Sequence, residues 1–199
     1  MELRARLDKI KTIIEQDSFF NQQSLGGELN FHIFDYEPSD ELIVRRYIKD
    51  FVSSYSYANS KIKPIEFDLF EMLLKILTDK TAGSKTYLDL AIETEERQGT
   101  ESLINTLRGV INIEEFVNMI KKELGDSNLV ILSGVGKVYP LVRSHNVLNN
   151  LHAVLDKIPV IMFYPGTYDQ KELRLFKGSN FDGLKDDNYY RAFRLVANE

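Results

Sequence analysis

Asn128-Leu129-Val130-Ile131-Leu132, then Ser133-Gly134-Val135-Gly136-Lys137-Val138-Tyr139-Pro140, a helical pattern from Arg143 to Leu155, and Pro159-Val160-Ile161-Met162-Phe163-Tyr164: this passage decides the fold. A parallel strand covered on both faces reads as a continuous apolar run. Leu129–Leu132 and Val160–Phe163 are such runs. A glycine-containing loop and a helix between them make a strand-helix-strand unit, whose crossover is expected to be right-handed. The passage therefore predicts two parallel strands in mid-sheet, with the glycine turn opening onto an accessible rim.

Earlier in the chain, Leu29–Phe34 predicts a strand that stops at Asp35-Tyr36-Glu37-Pro38, because proline interrupts a ladder. A helix follows from about Ser39 to Tyr57, with Leu42, Ile43, Tyr47, Ile48, Phe51 and Val52 as its apolar side. Ile62–Phe67 predicts a second strand, and Pro64 puts it at an edge or a strand start. Asp68 and Glu71 have capping-box spacing ahead of the helical run Leu69–Leu77. Residues 84–125 read as a helical insertion broken near Gly99 and at 109–112, with Asn112 and Glu115 again at cap spacing. At the front, Leu3, Leu7, Ile10 and Ile14 stripe a helix over 2–16. Joined to the first strand by 21–27, it either docks or reaches a partner. After Pro165-Gly166, Leu173–Phe176 predicts an edge strand, antiparallel to its predecessor, and Asn188–Val196 a final packed helix. The expected architecture is a single α/β domain over 1–199. Its core is a mostly parallel sheet of about four to five strands flanked by helices, Rossmann-like without an intact P-loop.

Composition agrees. Of 199 residues, 43% are apolar and 28% charged, and there is no cysteine. A chain this long buries roughly 70% of its unfolded surface without staples, and thiolate metal or redox chemistry is excluded. With 25 basic and 30 acidic residues the net charge is -5, which argues against a surface devoted to nucleic acid. Residues 137–199 hold 9 basic and 7 acidic side chains, so 1–136 hold 16 and 23. The charged first turns lack the apolar core of a signal peptide, and the apolar runs fall short of the ~20 residues that span a bilayer. A cytoplasmic location is the expectation.

Four parallel strands would bring Asp35, Asp68, Ser133 and Tyr164 to the carboxyl rim, where open α/β sheets bind ligands. Ser133, Gly134, Gly136 and Lys137 suggest an anion cradle, since glycines let amides approach and lysine adds charge. The P-loop pattern fails, because Val138 follows Lys137, and the dinucleotide pattern fails at Tyr139. A tight strand-to-helix turn explains the same glycines. Arg143, Ser144 and His145 open a helix whose amino end favours an anion, although Ser144 as a simple cap explains them too. His145 and His152 lie two turns apart, roughly 10 Å, too far to share one ion, and no metal or other cofactor is expected. Asp35 and Asp68 are candidates for magnesium or acid/base work. An Asx-turn at Asp35 and a cap at Asp68 are the structural alternatives. Ser133 lacks a G-x-S-x-G setting.

Four stretches carry a family resemblance. They are Phe34–Pro38, Ser133–Pro140 running into Arg143-Ser144-His145-Asn146-Val147-Leu148, Met162–Gly166, and Asn188-Tyr189-Tyr190-Arg191-Ala192-Phe193. The chain resembles the BrxB family of BREX bacteriophage-exclusion systems, with 133–148 as the specific block. The resemblance implies a cytoplasmic prokaryotic protein acting beside the phosphatase-like PglZ, the ATPase BrxC, the methyltransferase PglX and the small BrxA, with PglZ the favoured partner. It implies no settled chemistry. The expected function is thus a noncatalytic adaptor in a phage-defence assembly. The alternative is a degenerate nucleotide- or phosphate-binding regulatory domain using Ser133–Lys137, and direct DNA contact is not expected.

Overall fold

The computed structural model describes residues 2–21, 30–57, 60–151, 154–155, 157–169, 173–175 and 192–197. In chain order the elements are α1 (Leu3–Ile14), α2 (Asp17–Asn21), β1 (Phe31–Tyr36), a 3-10 turn (Pro38–Asp40), α3 (Glu41–Tyr57), β2 (Pro64–Asp68) and α4 (Leu69–Asp79). A small hairpin follows, β3 (Thr81–Ala82) and β4 (Lys85–Thr86), then α5 (Tyr87–Arg108) and α6 (Ile113–Glu123). The fold closes with β5 (Leu129–Ser133), α7 (Val135–Val138), α8 (Ser144–Leu151), β6 (Val160–Tyr168), β7 (Leu173–Leu175) and β8 (Phe193–Arg194).

Five parallel strands lie in the order β2-β5-β6-β1-β8, and β7 pairs antiparallel with the far end of β6. The two runs that decided the fold are neighbours, Val130 opposite Val160 and Leu132 opposite Met162. Their side chains divide between two cores. Leu129, Ile131, Ile161 and Phe163 pack with α1 and α3, while Val130, Leu132, Val160 and Met162 pack with α4 to α8. Two-sided burial is the reason these strands read as unbroken apolar runs. The chain leaves β1 through α3 on one face and leaves β5 through α7 and α8 on the other. That reversal places the switch-point crevice at the carboxyl end of β6, between them.

α1 docks through Leu7, Ile10 and Ile14, all buried. The Asp68 carboxylate caps α4 by accepting from the Phe70 and Glu71 amides, and Asn112 caps α6 by accepting from Glu114 N–H. Gly99, at φ 80 and ψ 173, breaks α5 into two arms. The tip of these arms, residues 95–101, is exposed throughout.

Several expectations are corrected. Phe193–Arg194 is not helical but extends the sheet beside β1, because His32 and Ile33 leave a free ladder edge there. Residues 188–191 of that expected helix, with Tyr189 and Tyr190, lie outside the described residues, as do the linker residues 22–27, His152 and Phe176. The glycine passage is not an open loop: 135–138 form a helical turn, and Ser133 and Gly134 are buried. α8 is described over Ser144–Leu151, and Val154 and Leu155, expected in the same helix, are not helical. β1 runs through Asp35 and Tyr36 instead of stopping before them. Leu42 and Ile43 face solvent, and Val44, Ile48, Phe51 and Tyr55 form the packed side of α3. A hairpin precedes α5 where helix was expected.

His32 supplies a pH test of the second core. Asn30 Nδ2 donates to the Phe19 carbonyl at 2.7 Å, which leaves Asn30 Oδ1 to accept from His32 Nε2 at 2.6 Å. The ring stacks on Phe19, and burial lowers its pKa to about 4 from 6.5. A depressed histidine pKa means that the unfolded chain takes up the proton first. Stability is then complete above pH 6.5 and falls as the pH drops toward 4. Denaturant unfolding is expected to show a loss of about 2 kcal/mol between pH 7 and pH 5. His32→Gln should lack that increment, and an identical pH slope in the variant would contradict the buried neutral ring.

Candidate functional site

The register of the parallel strands aligns the rim. Asp35 lies opposite Tyr164, and Asp68 opposite Ser133. These are the four residues the sequence placed there. They form two clusters, one at the switch point and one at the β2–β5 edge.

At the switch point Asp35 is 1% exposed. Its Oδ1 accepts from Arg6 Nη2 at 2.8 Å. Its Oδ2 accepts from the Tyr168 backbone N–H at 3.1 Å and from Arg194 Nη2 at 3.4 Å. Arg6 also donates to the Val196 carbonyl at 3.3 Å, and its guanidinium lies 4.6 Å from the centre of the Phe34 ring. One carboxylate thus gathers the first helix, the first strand, the end of β6 and the last strand. The Nε atoms of Arg6 and Arg194 are buried without a hydrogen-bond partner. Beside Arg6 lies a cavity of about 290 Å³, lined by Leu3, Arg6, Tyr36, Glu37, Asp40, Gly166 and Thr167. Tyr36 Oη donates to Glu41 Oε2 at 2.6 Å. Burial first, and then that carboxylate, push the phenol far above its ordinary range.

At the edge, Asp68 Oδ1 accepts from the Phe70 amide at 2.9 Å and the Glu71 amide at 3.3 Å, and Oδ2 is ion-paired with Lys137. The Lys137 ammonium stands 5.4 Å from the centre of the Phe70 ring. Gly134 has φ +71, and a Cβ on it would fall 2.2 Å from Asp68 Oδ1. Ser133 Oγ donates to Glu66 Oε1 at 2.6 Å. Burial raises the Glu66 pKa while the bond from Ser133 opposes the rise. Lys137 is therefore neutralised by a carboxylate of its own chain, and that carboxylate fills the space in front of Gly134.

Gly136 lies within α7. Arg143 is half-buried at the foot of α8, where its carbonyl accepts from the Asn146 and Val147 amides. Ser144 is buried, and the His145 side chain lies outside the described residues. Asp35 stands two strands away from the glycine turn, with β6 between, so the candidates do not form one constellation. Sequence reasoning missed Arg6, Arg194, Glu41 and Glu66. Arg6 left a signal: it is a charged residue on the flank of the apolar stripe, three positions after Leu3 and four before Ile10.

The comparisons with known proteins decide the family. The family model described as BREX protein BrxB matches residues 65–195. This chain belongs to the BrxB family. Its relatives include the BREX protein BrxB of Bacillus cereus strain H3081.97, 39% identical over 98% of this chain and 97% of that protein. A second, the BREX protein BrxB of Escherichia coli O9:H4 strain HS, is 33% identical over 98% of this chain and 92% of that protein. No solved structure matches the chain significantly. The BrxB match takes in the Asp68–Lys137 pair and Arg194, whereas Arg6 and Asp35 lie ahead of it.

Gly134→Ala tests the edge cluster. The left-handed conformation alone costs a side chain about 1–2 kcal/mol, and at Gly134 the added carbon also strikes Asp68. Gly125, just after α6, has positive φ with open space around it, so Gly125→Ala serves as the reference. Urea unfolding is expected to show a larger loss for Gly134→Ala, and equal losses would contradict the close approach.

Proposed function

We propose that the protein is a noncatalytic adaptor in a BREX phage-defence assembly, working in the cytoplasm and binding PglZ, with BrxC, PglX or BrxA as further contacts. Membership of the BrxB family supports a role in BREX. The observation that carries the adaptor reading is the state of the two rim carboxylates. Asp35 is enclosed by Arg6 and Arg194, and Asp68 by Lys137 and two helix amides. Their carboxylate oxygens are engaged by groups of the same chain, so they serve the fold. Large apolar side chains meanwhile stand on the surface at Leu42, Ile43, Ile92 and Phe193, apolar area that a protein contact would remove from water. No helix among the described residues is long and apolar enough to cross a membrane.

The test is copurification of the full chain with tagged PglZ, then with BrxC, PglX and BrxA, in cells lacking the other components. Co-elution with PglZ through gel filtration is the expected result, and failure with all four would overturn the reading. Millimolar ATP, GTP or cyclic nucleotide is expected to leave the melting temperature unchanged. A saturable rise would instead favour a nucleotide-binding domain.

A further inference from the structure

We infer that the solvent face of α3 is a docking surface for an acidic partner protein, an inference that rests on the adaptor reading. Helical spacing sets Leu42, Arg45, Arg46 and Lys49 on one stripe, with Ile43 on its flank. All five are exposed, Leu42 at 75% and Ile43 at 44%. The orientation is fixed from behind, because Val44, Ile48, Phe51 and Tyr55 on the opposite side are buried in the α1–α3 core. Leu42 and Ile43 therefore add nothing to that core, and their exposure has no explanation in packing.

The charges beside them make no close ion pair among the described residues, although Arg45 is near enough to act on Glu66 and Tyr36. Lys63, Lys75, Lys80 and Lys85 each pair with a carboxylate. Arg45, Arg46 and Lys49 form no salt bridge with a described residue. Of the nearby carboxylates, Glu41 is engaged by Tyr36, Glu66 accepts from Ser133 while feeling the charge of Arg45, and Asp50 stands on the flank. Three cations without an ion pair among the described residues, with an apolar head, thus interrupt the acidic part of the chain, since 1–136 hold 16 basic and 23 acidic residues.

Charge complementarity names the occupant: a protein surface that offers carboxylates to Arg45, Arg46 and Lys49 and an apolar recess to Leu42 and Ile43. Buried apolar contacts at the centre of such an interface give affinity, and the surrounding charges give orientation and on-rate. A nucleic-acid backbone would use the cations but not Leu42 or Ile43.

The experiment uses the full chain and the BREX protein captured above, with binding measured by calorimetry at low and high salt. The test variants are Arg45→Glu/Arg46→Glu and Leu42→Asp, with Leu42→Ser in reserve if the aspartate variant does not fold. Lys121→Glu/Lys122→Glu, exposed on α6 across the sheet, is the charge-matched control. Circular dichroism and melting temperature establish folding first. The expected result is wild-type binding weakened by salt, binding weakened at least tenfold by each α3 variant with a smaller salt dependence in Arg45→Glu/Arg46→Glu, and less than a twofold change in the control. If wild type binds and the α3 variants bind equally well, this inference fails while the adaptor reading stands. If wild type binds none of the four proteins, both fail. Salt-sensitive binding of duplex DNA that the α3 variants abolish would assign the face to nucleic acid and overturn the inference.

Discussion

The rest of the structure depends on the ion pair between Asp35 and Arg6. A carboxylate 1% exposed and a guanidinium 5% exposed have both lost their water, and desolvation on that scale is offset only by close, well-aligned partners. The 2.8 Å contact, the Tyr168 amide and the second arginine at 194 provide them. The partners come from distant parts of the chain, so satisfying one charge fixes the tertiary arrangement. α1 has to lie across β1, β6 has to extend past Tyr164 so that the Tyr168 amide reaches Oδ2, and Phe193–Arg194 has to align beside β1. The sheet order and the docking of both ends of the chain follow from this junction as much as from the apolar cores.

That arrangement also determines what the rim can do. In open α/β sheets the carboxyl ends of the strands around the switch point are the usual place for a ligand. Here the switch-point carboxylate is closed over by two arginines, and the glycine turn of β5 is filled by Asp68 and Lys137. The chemical groups are those of a ligand site, yet they are turned toward one another. On the proposed reading, interaction with other molecules falls instead to the outer helices, where Leu42, Ile43, Arg46 and Lys49 are exposed. The proposed adaptor would use the sheet to present those surfaces.

Much of the fold was legible in the sequence because its signals are local. Continuous apolar runs marked β5 and β6, capping spacings at Asp68 and Asn112 located α4 and α6, and the rim position of Asp35, Asp68, Ser133 and Tyr164 followed from strand direction alone. What was not legible depends on distant partners. Phe193–Arg194 resembles the end of a helix until the free edge of β1 offers it a ladder. Leu42 and Ile43 share the apolar character of the α3 core, and only the packing of Val44 and Ile48 reveals which side turns inward. Lys137 beside two glycines suggests an anion cradle, and the negative charge it meets, Asp68, lies 69 residues earlier. Asp35 looked like a turn residue because Pro38 was near, whereas Arg6 and Arg194 draw it into the strand and the interior.

The most direct measurement is a double-mutant cycle at the junction, with Arg6→Met, Asp35→Leu and the pair unfolded in denaturant at neutral pH. Each single change removes the closest partner of a buried charge and should cost up to about 3–5 kcal/mol, while the pair should recover part of that loss, giving a coupling above about 2 kcal/mol. Losses that add to within about 0.5 kcal/mol would contradict the claim that this one contact organises the molecule.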